Sequence, residues 1–170
     1  MVTFSFNKKV DEIENPELMP EDWYDFEIFD EPKVLPNKTL KEMISEEASE
    51  EEINSALEDD EKAGFNLVIT LESESAEDKF CGRKMKLWLP YPSPIDETRY
   101  DGQGNKVYDR KMGRLVEFTE AFQGEVRESD IYLSPRMKGC CYVIQQKSLN
   151  SEEIVNSIDW FSGFKKYGGA

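Results

Sequence analysis

Histidine is absent from the 170 residues of this chain. Ser-His-Asp and Cys-His nucleophilic catalysis are therefore excluded, since both need an imidazole to accept the nucleophile's proton. A zinc site would have to be built from thiols and carboxylates alone. The three cysteines, Cys81, Cys140 and Cys141, do not fall at zinc-ligand spacing. Cys140 and Cys141 are adjacent, so on a strand they point to opposite faces and do not bridge. All three read as reduced structural thiols. Asp101, Gln103 and Asn105 alternate like the start of a calcium loop, but Met112 stands where the bidentate glutamate would be.

No apolar run approaches the ~20 residues that cross a bilayer. Residues 1–9 lack the apolar stretch of a secretory leader. A cytoplasmic protein without membrane contact is the expectation. There is no P-loop and no nucleophile elbow. Carboxylates are so many that no pair of them marks a catalytic site. The chain is expected to be no enzyme and to hold no metal and no cofactor.

Basic residues are scarce in one half only. Residues 1–82 hold 7 Lys and Arg against 24 Asp and Glu, a net of −17, while residues 83–170 hold 14 against 12, a net of +2. The whole-chain charge of −15 hides this split. A near-neutral working half joined to an acidic half is a pattern of polyanion contact or of an acidic interaction segment.

The length suits one domain with decoration. Residues 1–20 read as an N-terminal arm, broken by Pro16 and Pro20. Tyr24, Phe26 and Ile28 share one parity and predict a half-buried strand. Residues 38–63 read as an acidic helical insertion. Thr39 with Glu42 and Ser49 with Glu52 form two capping boxes, each followed by a narrow apolar stripe. Residues 45–63 alone carry nine acidic residues and one lysine, a net of −8.

A second strand places Phe65, Leu67, Ile69 and Leu71 on one face. A third places Met85, Leu87 and Leu89 inward and Lys84, Lys86 and Trp88 outward. Residues 100–108 read as a loop or hairpin with a Gly-rich tip. Residues 111–122 predict an amphipathic helix, with Leu115, Phe118, Ala121 and Phe122 on one face. Residues 129–135 read as a connector. A fourth strand at 136–146 is apolar on both parities in its middle. Residues 148–156 read as a polar excursion with a helical turn at 151–155. A fifth strand at 157–167 runs into a basic aromatic tail, residues 163–170. The fold class is mainly β: five strands, a helix between the third and fourth, and the acidic insertion between the first and second. That is the element order of a single five-stranded OB-type barrel.

Short motifs follow one another in a familiar order: Pro20-Glu-Asp-Trp-Tyr-Asp-Phe26 at the entry to the first strand, Gly82-Arg83-Lys84 after the apolar strand 67–71, Leu115-Val-Glu-Phe118 in the helix, Lys138-Gly139-Cys140, and Asn156-Ser-Ile158. Over roughly residues 20–165 this succession resembles phage-encoded OB-fold single-stranded-DNA-binding and recombination accessory proteins. The resemblance implies a single-stranded-DNA-binding protein of a phage replication or recombination system, working in the host cytoplasm. It also implies that an acidic region, here 38–63, recruits replication or recombination proteins.

Binding a single strand without regard to sequence needs aromatic faces for bases and cations for phosphates. The stacking candidates are Trp88, Tyr91, Tyr108, Trp160 or its neighbour Phe161, Phe164 and Tyr167. On a continuous fifth strand Trp160 and Phe161 would point opposite ways, so one alone could stack. The phosphate candidates are Lys84, Lys86, Arg99, Lys106, Arg110, Lys165 and Lys166. The tail suits a mobile clamp over the strand. The alternative is an acidic OB-scaffold interaction or inhibitor protein, which would bind a basic surface on a partner and leave DNA alone. It gains if the lysines at 84, 86, 106, 165 and 166 scatter instead of sharing one groove.

Overall fold

The computed structural model describes residues 1–12, 16–37, 47–59 and 64–170. In chain order its elements are β1 (Asp22–Ile28), β2 (Lys33–Pro36), α1 (Glu50–Asp59), β3 (Phe65–Glu74), β4 (Lys84–Tyr91), α2 (Val107–Ala121), β5 (Glu125–Arg127), β6 (Asp130–Tyr132), β7 (Lys138–Lys147), β8 (Ile154–Ile158) and β9 (Phe164–Lys166). All the strands except β5 and β6 join one antiparallel sheet. β3 carries β4 on one edge and β1 followed by β2 on the other. β7 carries β1 on one edge, and β8 and β9 on the other. The order across the sheet is therefore β4, β3, β1 with β2, β7, and β8 with β9.

The expected closed barrel is corrected to an open sheet. β4 and β8 approach each other without pairing. Two features at that seam work against a ladder. β4 contains Pro90, which has no N–H to offer a neighbour. The chain also leaves β8 at Asp159 for a 3-10 turn, Trp160–Ser162.

Period-two alternation makes the core. Phe26 and Ile28 of β1, Leu67, Ile69 and Leu71 of β3, Leu87 and Leu89 of β4, and Cys141 and Val143 of β7 all turn to one face and are buried. Leu115 and Phe118 of α2, with Phe122 just beyond it, cover that face at helical spacing. The rings of Phe118 and Phe122 stack at 4.2 Å. Met19 is fully buried in the same core, so the arm is shorter than the 1–20 expected. Asn156 clips it there: its Oδ1 accepts from the Met19 N–H at 2.8 Å, and its Nδ2 donates to the Met19 carbonyl at 3.0 Å.

Of the stretch expected as an acidic insertion, the described residues hold one helix, α1. Ser49 caps α1, its hydroxyl accepting from the Glu52 N–H at 3.3 Å. Ile53, Ala56 and Leu57 pack against Phe65 and Ile95. The first expected helix, with Leu40, Met43 and Ile44, lies outside the described residues. Three further expectations are corrected. The connector at 129–135 contains half of a small hairpin, β5 with β6. The excursion at 148–156 is already strand from Ile154, with no helical turn. The single fifth strand is instead β8, a 3-10 turn and β9: Asp159 starts the turn, its carboxylate accepting from the Phe161 N–H, and Gly163 at φ 80° ends it.

Gly139 on β7 leaves room for the Phe122 ring just beyond α2. A Cβ there would lie 2.4 Å from the Phe122 ring. Gly139→Ala is expected to destabilise the protein by about 1–3 kcal/mol through overpacking. A lower denaturant midpoint at unchanged slope would be the signature, and an unshifted midpoint would show that Phe122 can move aside freely.

Candidate nucleic-acid interface

Burying one face of the sheet leaves the other to solvent, and its side chains fall into three zones. The first zone lies on β2, β3 and β4. Lys84, Lys86 and Trp88 project from alternate positions of β4, and Trp88 is 48% exposed. Val68 of β3 stands between Trp88 and Lys33 of β2 in the register. The Lys84 ammonium lies 3.7 Å from the Phe29 ring centroid. Among the described residues Lys33, Lys84 and Lys86 make no ion pair.

The middle zone is acidic. Asp25 pairs in register with Glu74, and Glu27 with Glu72, so four carboxylates sit in two adjacent cross-strand pairs. Like charges directly opposite are destabilising. Partners offset this. Lys138 bonds Glu74 at 2.7 Å, and the C-terminal tail folds over the same spot. The Tyr167 hydroxyl donates to Glu74 at 2.8 Å, and the Gly168 N–H donates to Asp25 at 2.9 Å. The Lys138 hydrogen bond, helped by Tyr167, holds the Glu74 carboxyl below its ordinary pKa against the opposing effect of burial.

The third zone is on β1, β7 and β9. The Lys165 ammonium lies 4.1 Å from the Trp23 ring centroid, and Trp23 meets Tyr142 edge-on at 5.5 Å. Cys140 lies under this zone, and burial pushes its thiol up to about 11, in keeping with an inert structural role.

A different cluster forms where α2 begins. Asp96, almost wholly buried, accepts from the Ser93 N–H at 2.9 Å and from the Lys111 ammonium at 2.9 Å. Asp101 closes the preceding loop, its Oδ1 accepting from the N–H groups of Gln103 and Asn105 at 2.9 Å each. Arg110 is 3.6 Å from Asp101, Arg114 is 3.1 Å from Glu117, and Lys106 is 3.5 Å from Glu97. Arg99 donates to the Leu57 carbonyl, tying α1 to this loop. Trp160 and Phe161 share a 3-10 turn, and their rings stack on each other at 4.0 Å. The expectation that they point opposite ways on a strand is thus corrected.

The sequence candidates are therefore not gathered into one groove. Lys84, Lys86 and Trp88 share the first zone. Lys165 is in the third zone, and Lys166 is the next residue of β9, on the opposite parity. Arg99, Lys106, Arg110 and Trp160 belong to the α2 cluster, where each of the three cations already has a partner. Tyr108 is half-buried on the first turn of α2. Tyr91 packs against the core, and so does Phe164, whose ring meets Phe118 edge-on at 5.0 Å. Tyr167 is held by Glu74, so the tail is docked on the sheet and is no free clamp. Lys33, Trp23, Lys111 and Arg114 are additions of the fold. Arg110, Lys111 and Arg114 follow an i, i+1, i+4 spacing that marks one helix face, once the helix is started at 107. Lys33 gives no such signal, since only the β2–β3 register sets it beside Val68.

Tail docking is expected to depend on Glu74. A carboxylate with a lowered folded-state pKa contributes stability above its unfolded-state value, and loses it as pH falls through the lowered value. The tail should stay docked at neutral pH and loosen in acid below the ordinary carboxylate range. Glu74→Gln should loosen it at neutral pH. Amide exchange of residues 165–168 reads both effects, and unchanged protection in Glu74→Gln would assign the docking to other contacts.

Comparison with protein-family models, with curated proteins and with solved structures finds no match to this chain.

Proposed function

We propose that this chain binds single-stranded DNA, independently of sequence, on the outer face of β3 and β4. One observation carries this: Trp88 stands half-exposed on the same strand face as Lys84 and Lys86, and among the described residues neither lysine makes an ion pair. A base stacked on Trp88 contributes about 1–3 kcal/mol whatever its identity. Lys84, Lys86 and Lys33 would meet the phosphates.

The strand order supports reading the sheet as an OB-type barrel left open between β4 and β8, with α2 between the third and fourth strands. OB-type barrels bind oligonucleotides on strands two and three, here β3 and β4, beside the loop that joins strands one and two. That loop is the acidic segment 38–63, the proposed docking surface for replication or recombination proteins. The phage setting rests on the motif resemblance. A net charge of −15 and the carboxylates on β1 and β3 make affinity modest.

The scatter of the other cations favours a second reading. Lys106, Lys165 and Lys166 lie away from Lys84 and Lys86, while Glu50, Glu51, Glu52 and Glu58 line the exposed side of α1. On that reading the acidic half binds a basic surface of a partner and DNA is not a ligand.

Fluorescence anisotropy separates the two. The probe is a single strand of ~30 nucleotides, longer than the ~4–16 that an OB domain covers. Binding should exceed that to duplex and weaken with salt, with a slope shallower than the roughly −2 that ~0.7 per phosphate over three lysines gives. Trp88→Ala should weaken it ~5-fold or more. Absence of binding at ~100 μM protein in low salt, the weak end of non-specific affinity, would favour the acidic-partner reading.

A further inference from the structure

The cations on α2 that lie outside the proposed strand-binding face border a cavity with its own chemistry. A cavity of about 280 Å³ is lined by Pro90, Arg110, Lys111, Arg114, Trp160 and Phe161. Among the described residues no carboxylate lines it, although Asp101, Asp96 and Glu117 pair with Arg110, Lys111 and Arg114 from beyond its wall. Its aromatic wall is preformed. Trp160 and Phe161 stack within 21° of parallel, and the Arg114 guanidinium lies 5.3 Å from the Trp160 ring centroid. Phe161 is 74% exposed. Arg110 also leaves more than half of its side chain in solvent, and its contact with Asp101 is 3.6 Å, longer than a hydrogen bond. Arg110 and Lys111 also line a second cavity of about 490 Å³, on the side of Arg99 and Tyr100, so the two cations stand between the two spaces.

We propose that this cavity is a nucleotide site. A base would lie against the Trp160–Phe161 stack, and its 5′-phosphate would meet Arg110 and Lys111. A flat aromatic wall is matched by a planar base, and a phosphate is matched by a rim of three cations, of which Arg110 has only a loose carboxylate partner at 3.6 Å. The volume of about 280 Å³ is just below the ~300–1,000 Å³ of small-ligand sites, which suits nothing larger than one nucleotide. The site is next to the strand-binding face. Pro90 on its wall is two residues from Trp88 on β4, ~6.7 Å along the strand. The cavity would therefore receive a neighbouring nucleotide of a strand that stacks on Trp88. This placement rests on the single-strand reading. The chemistry of the cavity does not, and a free nucleoside 5′-phosphate would satisfy it equally.

The indole N–H resonances of the full-length protein test this. Trp23, Trp88 and Trp160 give three signals, assigned with single Trp→Phe variants. Thymidine 5′-monophosphate is titrated to beyond ~1 mM, with thymidine and inorganic phosphate as controls, and a short oligothymidylate is titrated in parallel. The mononucleotide should shift Trp160 saturably and leave Trp88 in place. Phe161→Ala and Arg110→Gln should each weaken that titration ~5-fold or more. Both side chains are largely exposed, so the variants should keep the wild-type dispersion of signals. An oligonucleotide that moves Trp88 and Trp160 together supports a strand as the source. A mononucleotide that moves Trp160 while the oligonucleotide moves neither supports a free nucleotide and removes the strand reading. An oligonucleotide that moves Trp88 alone, with no mononucleotide response at Trp160, overturns the cavity proposal and leaves the strand reading standing. Inorganic phosphate moving Trp160 as far as the nucleotide does also overturns it, by reducing the cavity to an anion site.

Discussion

The packing of α2 on one face of the sheet is the constraint from which the other features follow. Leu115, Phe118 and Phe122 fill the space beneath β1, β3, β4 and β7, and Gly139 leaves room for the Phe122 ring. Close packing of this kind fixes the helix in rotation as well as in position. Lys111, four residues before Leu115, continues the apolar stripe at the start of the helix, and Arg110 and Arg114 flank it. Asp96 then locks the start of the helix by accepting from both the Ser93 backbone and the Lys111 ammonium. A buried carboxylate at that point is tolerable because it is paired and hydrogen-bonded. The basic rim of the cavity near Trp160 is thus a by-product of core packing and of one buried ion pair.

The same constraint sorts the outer face. Each strand has to spend its apolar parity on the core, so charge accumulates on the other parity. Asp25, Glu27, Glu72 and Glu74 are forced into neighbouring positions, and the tail with Lys138 compensates them. Tyr167 and Gly168 are therefore ordered by the carboxylates they cover. The tail takes no part in the first zone, where Trp88, Lys84 and Lys86 remain open.

Much of this was legible in the residues. Strict alternation located the inward and outward faces of β1, β3 and β4, and Leu115 with Phe118 located the helix. What escaped was set by single residues with non-local effects. Asp159 and Gly163, at the two ends of a 3-10 turn, divide the last strand, and within that turn Trp160 and Phe161 become a stacked pair. Phe164 looked like a surface ring in a basic tail, yet its register opposite Cys141 sends it inward. Met19 sits in a segment that reads as irregular, and only Asn156, far along the chain, explains its burial. Closure of the barrel was not legible either, because it depends on an edge-to-edge approach of β4 and β8 that no local pattern encodes.

The proposed reading asks an acidic protein to bind an anion, and distance decides whether that is coherent. At physiological ionic strength the screening length is about 8 Å. Charges on α1, which packs against Phe65 at the end of β3 away from Lys84 and Lys86, are then largely invisible to a phosphate at those lysines. The carboxylates of β1 and β3 are nearer: Glu72 is opposite Lys84 itself. Lowering the salt strengthens the lysine contacts and, at the same time, extends the reach of the acidic half. The two effects oppose one another, so binding on this face should show a shallower salt dependence than its lysine count alone gives. Stacking on Trp88, which salt barely touches, would supply the larger share. On the proposed reading the neutral interaction selects the strand, and the charges only fix where on the sheet it lies.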